Sequence, residues 1–214
     1  MSTLTGDNRN QGGGLVAMIM AAFWRRLGIP GKLITDPAYD KILPLNTELG
    51  RLVLENYLQD DIHKWTIWLT LVVSIAFVAL WWLAADRRRF LEVTLFGTLM
   101  LIMSTTFDAA GFTLNLWVYP DKVMPLLPAL TFDYIVVPVA FLLVYQKYGR
   151  WGPFIIASVL VAAVYSFIAE PIVVWLNLTL YLKWHYAYSF VVYIGMAVVA
   201  KLLMTLFIRH QNAA

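Results

Sequence analysis

The chain contains no cysteine among its 214 residues, which excludes disulfides, thiolate catalysis and cysteine-ligated metals. Charge is also scarce, because 14% of the residues are charged and 61% are hydrophobic, against about 25% and about 45–50% in soluble domains. The net charge is only +3 and no basic tract is long, so no nucleic-acid partner is predicted. A soluble fold with this composition would expose large apolar patches, which a bilayer covers. The composition therefore predicts an integral membrane protein.

Catalytic motifs are missing as well. The chain has no GxSxG, HExxH, P-loop or Rossmann pattern, and no internal repeat of the kind found in transporters. Its three histidines are scattered, which argues against a bis-histidine haem. The sequence predicts no cofactor and favours a protein that is not an enzyme, although a bound cation or lipid is compatible with it.

Five apolar segments approach or exceed the length of about 20 residues that a bilayer-spanning helix needs. They are residues 65–85, 90–112, 131–145, 152–175 and 186–208. The third is the weakest, because its uncharged stretch is short and contains a proline. We predict an all-α membrane protein with a bundle of about five transmembrane helices over 65–208, followed by a tail over 209–214.

The first 64 residues have a different character. Residues 1–14 are polar and Gly-rich, which predicts disorder, and the apolar run 15–24 is too short to span and predicts an interfacial helix. Glycines and prolines over 27–45 predict a loop, and an apolar stripe at helical spacing predicts an amphipathic helix from Asn46. Residues 15–64 are therefore expected to form interfacial and amphipathic helices that precede the bundle.

Basic residues in the short connections predict the orientation. The turns 86–89 and 146–150 and the tail with Arg209 share one side of a five-span bundle, whereas the other side has only Lys122 and Lys183. The arginine turns and the C-terminus are therefore expected in the cytoplasm, with the N-terminus outside and the bundle in the cell membrane.

Ionisable side chains inside spans are costly, and they suggest function by default. With a helical rise of about 1.5 Å per residue, Asp108, Asp133 and Glu170 reach one level on three helices, near the outer boundary. His185 begins the fifth span on the same side. We predict that these four residues form a polar pocket for a cation, a proton or a ligand head group.

Two prolines strengthen this prediction. Pro138 and Pro171 each remove a helical hydrogen bond, which is expected to free the carbonyls of Tyr134 and Phe167 close to Asp133 and Glu170. Carboxylates and free carbonyls are the ligands of hard cations.

A structural interpretation of the same acids is also open. The carboxylates could face water or pair with Lys122 and Lys183, Asp133 could cap the N-terminus of its helix, and His185 could be an interfacial histidine bonded to one of the acids. Glu92, Gln146 and Lys201 form a second set of polar candidates at the inner side.

Several motifs follow one another in a recognisable order. They are Asp86-Arg87-Arg88-Arg89, Asp108-Ala109-Ala110-Gly111, Trp117-Val118-Tyr119-Pro120, Ser166-Phe167-Ile168-Ala169-Glu170-Pro171 and Trp184-His185-Tyr186-Ala187-Tyr188. Over residues 60–208 this order resembles a family of small uncharacterised multi-pass membrane proteins of endospore-forming Firmicutes. The resemblance implies the envelope of a spore-forming bacterium and implies no activity.

Three functions agree with these observations. The first is a binding or accessory protein whose outward pocket holds a cation or a lipid head group, or docks a membrane partner subunit or a second copy of the chain. The second is a small oligomeric transporter or channel with a water path from the outer acids to Glu92. The third is an intramembrane enzyme acting on a lipid or isoprenoid, with Asp108 or Glu170 as general acid.

Overall fold

The computed structural model describes Arg26 and residues 37–213. The predicted disorder over 1–14 and the predicted interfacial helix over 15–24 lie outside these residues. Apart from a single pair of two-residue strands, the regular structure in the described part is helical. In chain order the elements are α1 Tyr39–Gln59, α2 Trp65–Ala84, α3 Phe90–Thr113, β1 Trp117–Val118, α4 Val137–Lys147, α5 Trp151–Val164, α6 Glu170–Trp175, β2 Leu180–Tyr181 and α7 Tyr186–Ala213.

The chain divides into two units, residues 1–51 and 52–214, and α1 runs across the division. A helix is found where the apolar stripe predicted one, but the predicted start at Asn46 is wrong, because α1 begins at Tyr39 and contains Pro44. Its first turn is already closed by the hydrogen bond from Ile42 N to Ala38 O at 3.1 Å. Pro44 removes one backbone donor near the helix start, and the helix continues past it.

Within the part of the chain that the structure describes, four helical stretches are long and apolar enough to cross a membrane. They are Trp65–Ala84, Arg87–Thr113, Trp151–Trp175 and Tyr186–Asn212. These stretches match four of the five predicted spans and confirm an all-α membrane bundle. The remaining predicted span, the third in chain order over 131–145, is helical but shorter. Much of it is buried among the other helices, with Val137 and Phe141 at 0% exposure.

Two π turns interrupt the bundle, each directly ahead of a proline. Phe132–Val136 precedes α4 and Pro138, and Tyr165–Ala169 joins α5 to α6 and precedes Pro171. A π turn uses bonds between residues five apart, as in the bond from Glu170 N to Tyr165 O. The wider turn changes the backbone hydrogen-bond partners from residues four apart to residues five apart, next to a proline that has no N–H to donate.

The bundle has two polar ends separated by an apolar core. The arginine end comprises the turns 86–89 and 146–150, and the carboxylate end comprises the loops 114–130 and 176–185. Between them Phe96, Met100 and Phe141 are completely buried. The ring of Phe96 stacks on Tyr145 with the centroids 4.3 Å apart. Apolar packing thus holds the helices and fixes the distance between the two ends.

Candidate functional site

Three carboxylates share one cavity at the carboxylate end. Asp108 of α3, Asp133 of the first π turn and Glu170 at the start of α6 all line a cavity of about 60 Å³. The structure therefore brings together three of the four residues of the predicted pocket. Asp108 and Asp133 are partly buried, and Glu170 is 5% exposed.

Asp108 is held by two aromatic donors from the loop that follows its helix. Its Oδ1 accepts hydrogen bonds from Trp117 Nε1, at 2.9 Å, and from the hydroxyl of Tyr119. The loop folds back because Asn115 adopts a left-handed conformation with φ 53°, and Leu116 N then bonds to Gly111 O at 2.9 Å. This is a Schellman helix end, a position where Asn is tolerated.

Gly111 lets the Trp117 ring lie against α3. A Cβ on this residue would stand 2.0 Å from Cη2 of Trp117, which is far inside van der Waals contact. Only glycine therefore fits between the helix and the indole that binds Asp108. This contact between the helix and the loop shapes one wall of the cavity.

Glu170 is the most deeply buried of the three acids and is only partly satisfied. Its Oε1 accepts a hydrogen bond from the Tyr193 hydroxyl at 3.2 Å, while Oε2 is buried without a partner. The hydroxyls of Tyr181 and Ser189 also lie close enough to the carboxylate to act as hydrogen-bond donors. Ser189 itself accepts a bond from Trp184 Nε1 at 2.9 Å, so its own proton is free to point at Glu170.

Asp133 has no hydrogen-bond donor on its carboxylate among the described residues. Its backbone carbonyl accepts a hydrogen bond from Ser104 Oγ at 2.7 Å. The carbonyl that gains a side-chain donor ahead of Pro138 is therefore that of Asp133 and not that of Tyr134. The side chain lies within Coulombic reach of Asp108 and Glu170. Asp133 lies inside a helical stretch and caps no backbone N–H, so the N-cap interpretation is wrong.

The two halves of the cavity repeat one sparse pattern of a serine, an acid, an asparagine and a tyrosine. The residues follow at intervals of 4, 7 and 4 positions in both copies. They are Ser104, Asp108, Asn115 and Tyr119 in the first copy and Ser166, Glu170, Asn177 and Tyr181 in the second.

The backbone follows the same repeat. Asn177 has φ 58°, like its counterpart Asn115, and it ends α6 with a bond from Leu178 N to Val173 O. The strands that follow pair in antiparallel fashion, with Trp117 opposite Tyr181. The aromatic donors were missed by sequence reasoning, and the signal that could have found them is the tripeptide Leu-Asn-Leu, at 114–116 and at 176–178.

No positive side chain neutralises the cavity within the described residues. None of the ion pairs there involves Asp108, Asp133 or Glu170, so the interpretation in which Lys122 or Lys183 pairs with them is wrong. The groups that donate to Asp108 and Glu170 are neutral instead.

The tyrosines in the loops remain protonated. Burial, together with the negative charges nearby, raises the pKa of Tyr119 and of Tyr181 far above the ordinary value for tyrosine. Both hydroxyls are therefore neutral at physiological pH and can donate. Asp108 and Glu170 are therefore held in place by hydrogen bonds from neutral donors.

His185 does not line the cavity. It is exposed at the start of α7, and its Nδ1 accepts a bond from Ala187 N at 3.2 Å. The residue thus caps the helix, where the first N–H groups have no partner within the helix. Its ring lies against Tyr188, at 6.0 Å between centroids.

The polar candidates at the arginine end are paired with neighbouring side chains and with the backbone. Glu92 accepts two bonds from Arg89, at 3.0 and 2.6 Å, and one from the Tyr145 hydroxyl, at 2.7 Å. Gln146 donates to Ala84 O and accepts from Asp86 N, both at 2.8 Å. These bonds join the ends of α2, α3 and α4 and leave no acceptor facing an open cavity.

Lys201 closes the same end from α7. It is 4% exposed, and its Nζ donates to Tyr148 O at 3.0 Å and to Gly149 O at 2.9 Å. The ammonium also lies 4.0 Å from the ring centroid of Phe154, a favourable cation–π position. Lys201 therefore caps the C-terminal end of α4, where the helix dipole favours a cation.

A second acidic cluster lies just before α2. Oxygens of Asp60, Asp61 and Asp121 come within 4.8 Å of one another, as metal ligands would. Lys64 Nζ, however, contacts Asp60 at 2.5 Å and Asp121 at 2.6 Å. These bonds raise the pKa of Lys64 above its ordinary value, so the ammonium is charged and supplies the cation that this cluster needs. Sequence reasoning did not connect these residues.

No protein-family model, curated protein or solved structure matches this chain. The family resemblance that the sequence suggested therefore stays a prediction.

Proposed function

We propose that the chain is a multi-pass membrane protein that binds a small cation in the acidic cavity. The observation that carries the proposal is Glu170, which is 95% buried with one oxygen unpartnered, beside Asp108 and Asp133. Removing a carboxylate from water costs several kcal/mol unless a partner compensates. Since the described residues offer no positive partner, a bound cation supplies the compensation, and protonation replaces it when the cavity is empty.

The size of the cavity favours a small ion over a lipid head group or an isoprenoid chain. The cavity of about 60 Å³ exceeds the roughly 10–15 Å³ that a site for one water molecule needs, and it is about twice the roughly 30 Å³ that a water molecule occupies in the liquid. A complete phospholipid head group or an isoprenoid chain is larger. The cavity therefore favours binding of a small cation over an enzyme that acts on a lipid.

The apolar core argues against the transporter alternative. Phe96, Met100 and Phe141 fill the bundle between its two ends and are fully buried. Glu92, the expected end of a water path, is occupied by Arg89 and Tyr145.

The location follows from the charge bias of the connections. We place the protein in the cytoplasmic membrane with the arginine end in the cytoplasm, because short basic connections are retained on that side. The cavity then opens toward the outside. A partner subunit or a second copy of the chain would contact the lipid-facing helices.

The test is thermal unfolding of the purified protein in detergent with chloride salts of sodium, potassium, calcium and tetramethylammonium. N-methylglucamine, which is too large for the cavity, keeps the ionic strength constant. A ligand at 100 times its Kd stabilises the folded state by about 2.7 kcal/mol, so the melting temperature of the wild type should rise with at least one cation. Glu170→Gln should lose this response.

Glu92→Gln is the matched control. It removes a half-buried carboxylate at the arginine end, so it should lower the melting temperature while the cation response stays intact. The proposal fails if no cation stabilises the wild type, or if Glu170→Gln responds as the wild type does.

A further inference from the structure

We propose that the cation bound in the acidic cavity is a small methylated ammonium ion rather than a metal ion. This inference depends on the proposed function, since it names the ligand class of the same site. Its physical basis is the position of the three carboxylates, the aromatic rings between them and the volume that they enclose.

The carboxylates are too far apart to ligate one metal ion together. Among the described residues, the only three acidic, histidine or cysteine side chains whose ligand atoms all lie within 4.8 Å of one another are those of Asp60, Asp61 and Asp121. Calcium binds six to eight oxygens at about 2.3–2.6 Å, which requires a tighter set. Asp108, Asp133 and Glu170 stand around the cavity wall instead, as the counter-charges of a bulky cation would.

Aromatic rings fill the wall between the acids. The cavity is lined by Trp117, Tyr119, Tyr165, Tyr181, Trp184 and Tyr193. Rings combined with nearby negative charge attract quaternary ammonium ions through cation–π interactions. A metal site, by contrast, needs oxygen or nitrogen ligands at these positions.

The polar edges of four of these six rings are already used within the protein. Trp117 Nε1 and the Tyr119 hydroxyl donate to Asp108, Trp184 Nε1 donates to Ser189, and the Tyr193 hydroxyl donates to Glu170. A ligand in the cavity therefore meets ring surfaces and the remaining carboxylate oxygens. Glu170 lines the cavity as well, and its Oε2, which is closed to water and has no hydrogen-bond partner, adds negative charge behind the wall.

The volume agrees with this class of ligand. The cavity of about 60 Å³ has room for a compact group of a few non-hydrogen atoms, such as tetramethylammonium, and excludes a long chain. A trimethylammonium group is slightly smaller, so the ligand is either a free methylated amine or the terminal group of a choline lipid that reaches in from the membrane. Both present the same chemistry to the cavity.

The test is calorimetric titration of the full chain in nanodiscs with tetramethylammonium chloride, potassium chloride, calcium chloride and tert-butanol. tert-Butanol has nearly the same shape as tetramethylammonium and no charge. We expect saturable binding of tetramethylammonium, at least tenfold weaker binding of potassium and calcium, and no binding of tert-butanol. Nanodiscs of phosphatidylglycerol and of phosphatidylcholine separate the two sources, since a choline lipid in the cavity would compete and weaken the apparent affinity only in the second.

Substitutions identify the site. Trp184→Phe, which keeps a ring but weakens the cation–π contact, should reduce the affinity for tetramethylammonium by about three- to tenfold. Trp175→Phe, on a side chain that is 78% exposed, should leave the affinity unchanged. Glu170→Gln should abolish binding.

The outcomes separate this inference from the proposed function. If potassium or calcium binds, depends on Glu170 and is tighter than tetramethylammonium, the cation site stands and the ligand class is wrong. If tert-butanol binds as well as tetramethylammonium, the inference is also overturned. If no cation binds, the proposed function and the inference fall together.

Discussion

Individual residues of the carboxylate end show how acids are kept in a membrane bundle without a positive side chain. Tyr119 and Trp117 donate to one oxygen of Asp108, and Tyr193 donates to one oxygen of Glu170. Both bonds to Asp108 fall on its Oδ1, and the hydroxyls of Tyr181 and Ser189 are further neutral donors beside Glu170. The donors orient the acids, and the remaining oxygens carry the negative charge that a ligand would meet.

Removing the Tyr119 hydroxyl tests whether its hydrogen bond to Asp108 stabilises the fold. Tyr119→Phe should lower the free energy of unfolding by about 1.5–3 kcal/mol, the usual contribution of a hydrogen bond to a charged acceptor. Tyr188→Phe is the control, since Tyr188 is exposed and its hydroxyl makes no hydrogen bond in the described structure. Thermal or denaturant unfolding of the two variants measures the difference, and equal effects would show that the Tyr119 bond contributes nothing.

Asp61 gives a prediction for pH dependence outside the membrane-spanning helices. Burial is the main cause that raises its pKa above the ordinary 3.8, so the folded state holds this proton more tightly than the unfolded state. Its contribution to stability is therefore present below pH 3.8 and is lost as the pH rises through the higher folded pKa. Asp61→Asn, which never ionises, avoids this loss.

The measurement is the melting temperature of Asp61→Asn and of the wild type at pH 4 and pH 7. The variant loses one of the two bonds that Asp61 accepts, from Asn56 Nδ2 and Lys122 N, so a constant offset is expected. The melting temperature of the variant relative to the wild type should be higher at pH 7 than at pH 4. A difference that is constant or smaller at pH 7 would contradict the raised pKa.

At the scale of elements, two helix ends with the same geometry build the cavity. Each helix stops at an asparagine with positive φ and passes into a short strand. The two strands pair with each other, and this pairing brings each tyrosine back toward the acid of its own helix. The same helix end and short strand therefore occur twice, and each copy forms one wall of the cavity.

Substitution of Gly111 tests the packing between α3 and the Trp117 ring, which forms one wall of the cavity. Gly111→Ala places a Cβ 2.0 Å from the Trp117 ring, and the resulting overpacking should destabilise the fold by about 1–3 kcal/mol and displace the indole from Asp108. Gly195→Ala is the matched control on α7, because no atom lies within 4 Å of its Cβ position. It should be neutral or should stabilise the helix by about 0.5–1 kcal/mol. Tryptophan fluorescence and thermal unfolding compare the two variants, and similar behaviour would contradict the close approach.

Substitutions of Asn115 and Asn177 test the left-handed conformation that ends the two helices. Asn115→Ala and Asn177→Ala should each cost about 1–2 kcal/mol, because alanine is strained in the left-handed conformation. The corresponding glycine variants should retain the stability of the wild type. If alanine and glycine behave alike in denaturant unfolding, the positive φ is absent in solution.

For the whole molecule, the sequence predicts the membrane class and the level of the acids. Uninterrupted apolar length locates the long spans, and the constant helical rise places Asp108, Asp133 and Glu170 together. Both are local properties of a helix, so they can be read without tertiary contacts.

Other parts of the structure depend on contacts between distant residues. The bond between Lys64 and Asp121 and the bond between Ser104 and the Asp133 carbonyl join elements far apart in sequence. His185 was expected in the pocket because it shares the level of the acids, but helix capping turns it outward. Height along a helix does not determine the direction of a side chain.

The most direct test of the central claim, that the acidic cavity binds one small cation, is equilibrium dialysis of the purified chain against radiolabelled tetramethylammonium at fixed ionic strength. The wild type and Glu92→Gln should each retain about one ion per chain, and Glu170→Gln should retain none. Equal retention by all three proteins, or displacement of the label by neither potassium nor unlabelled tetramethylammonium, would contradict a cation site at Glu170.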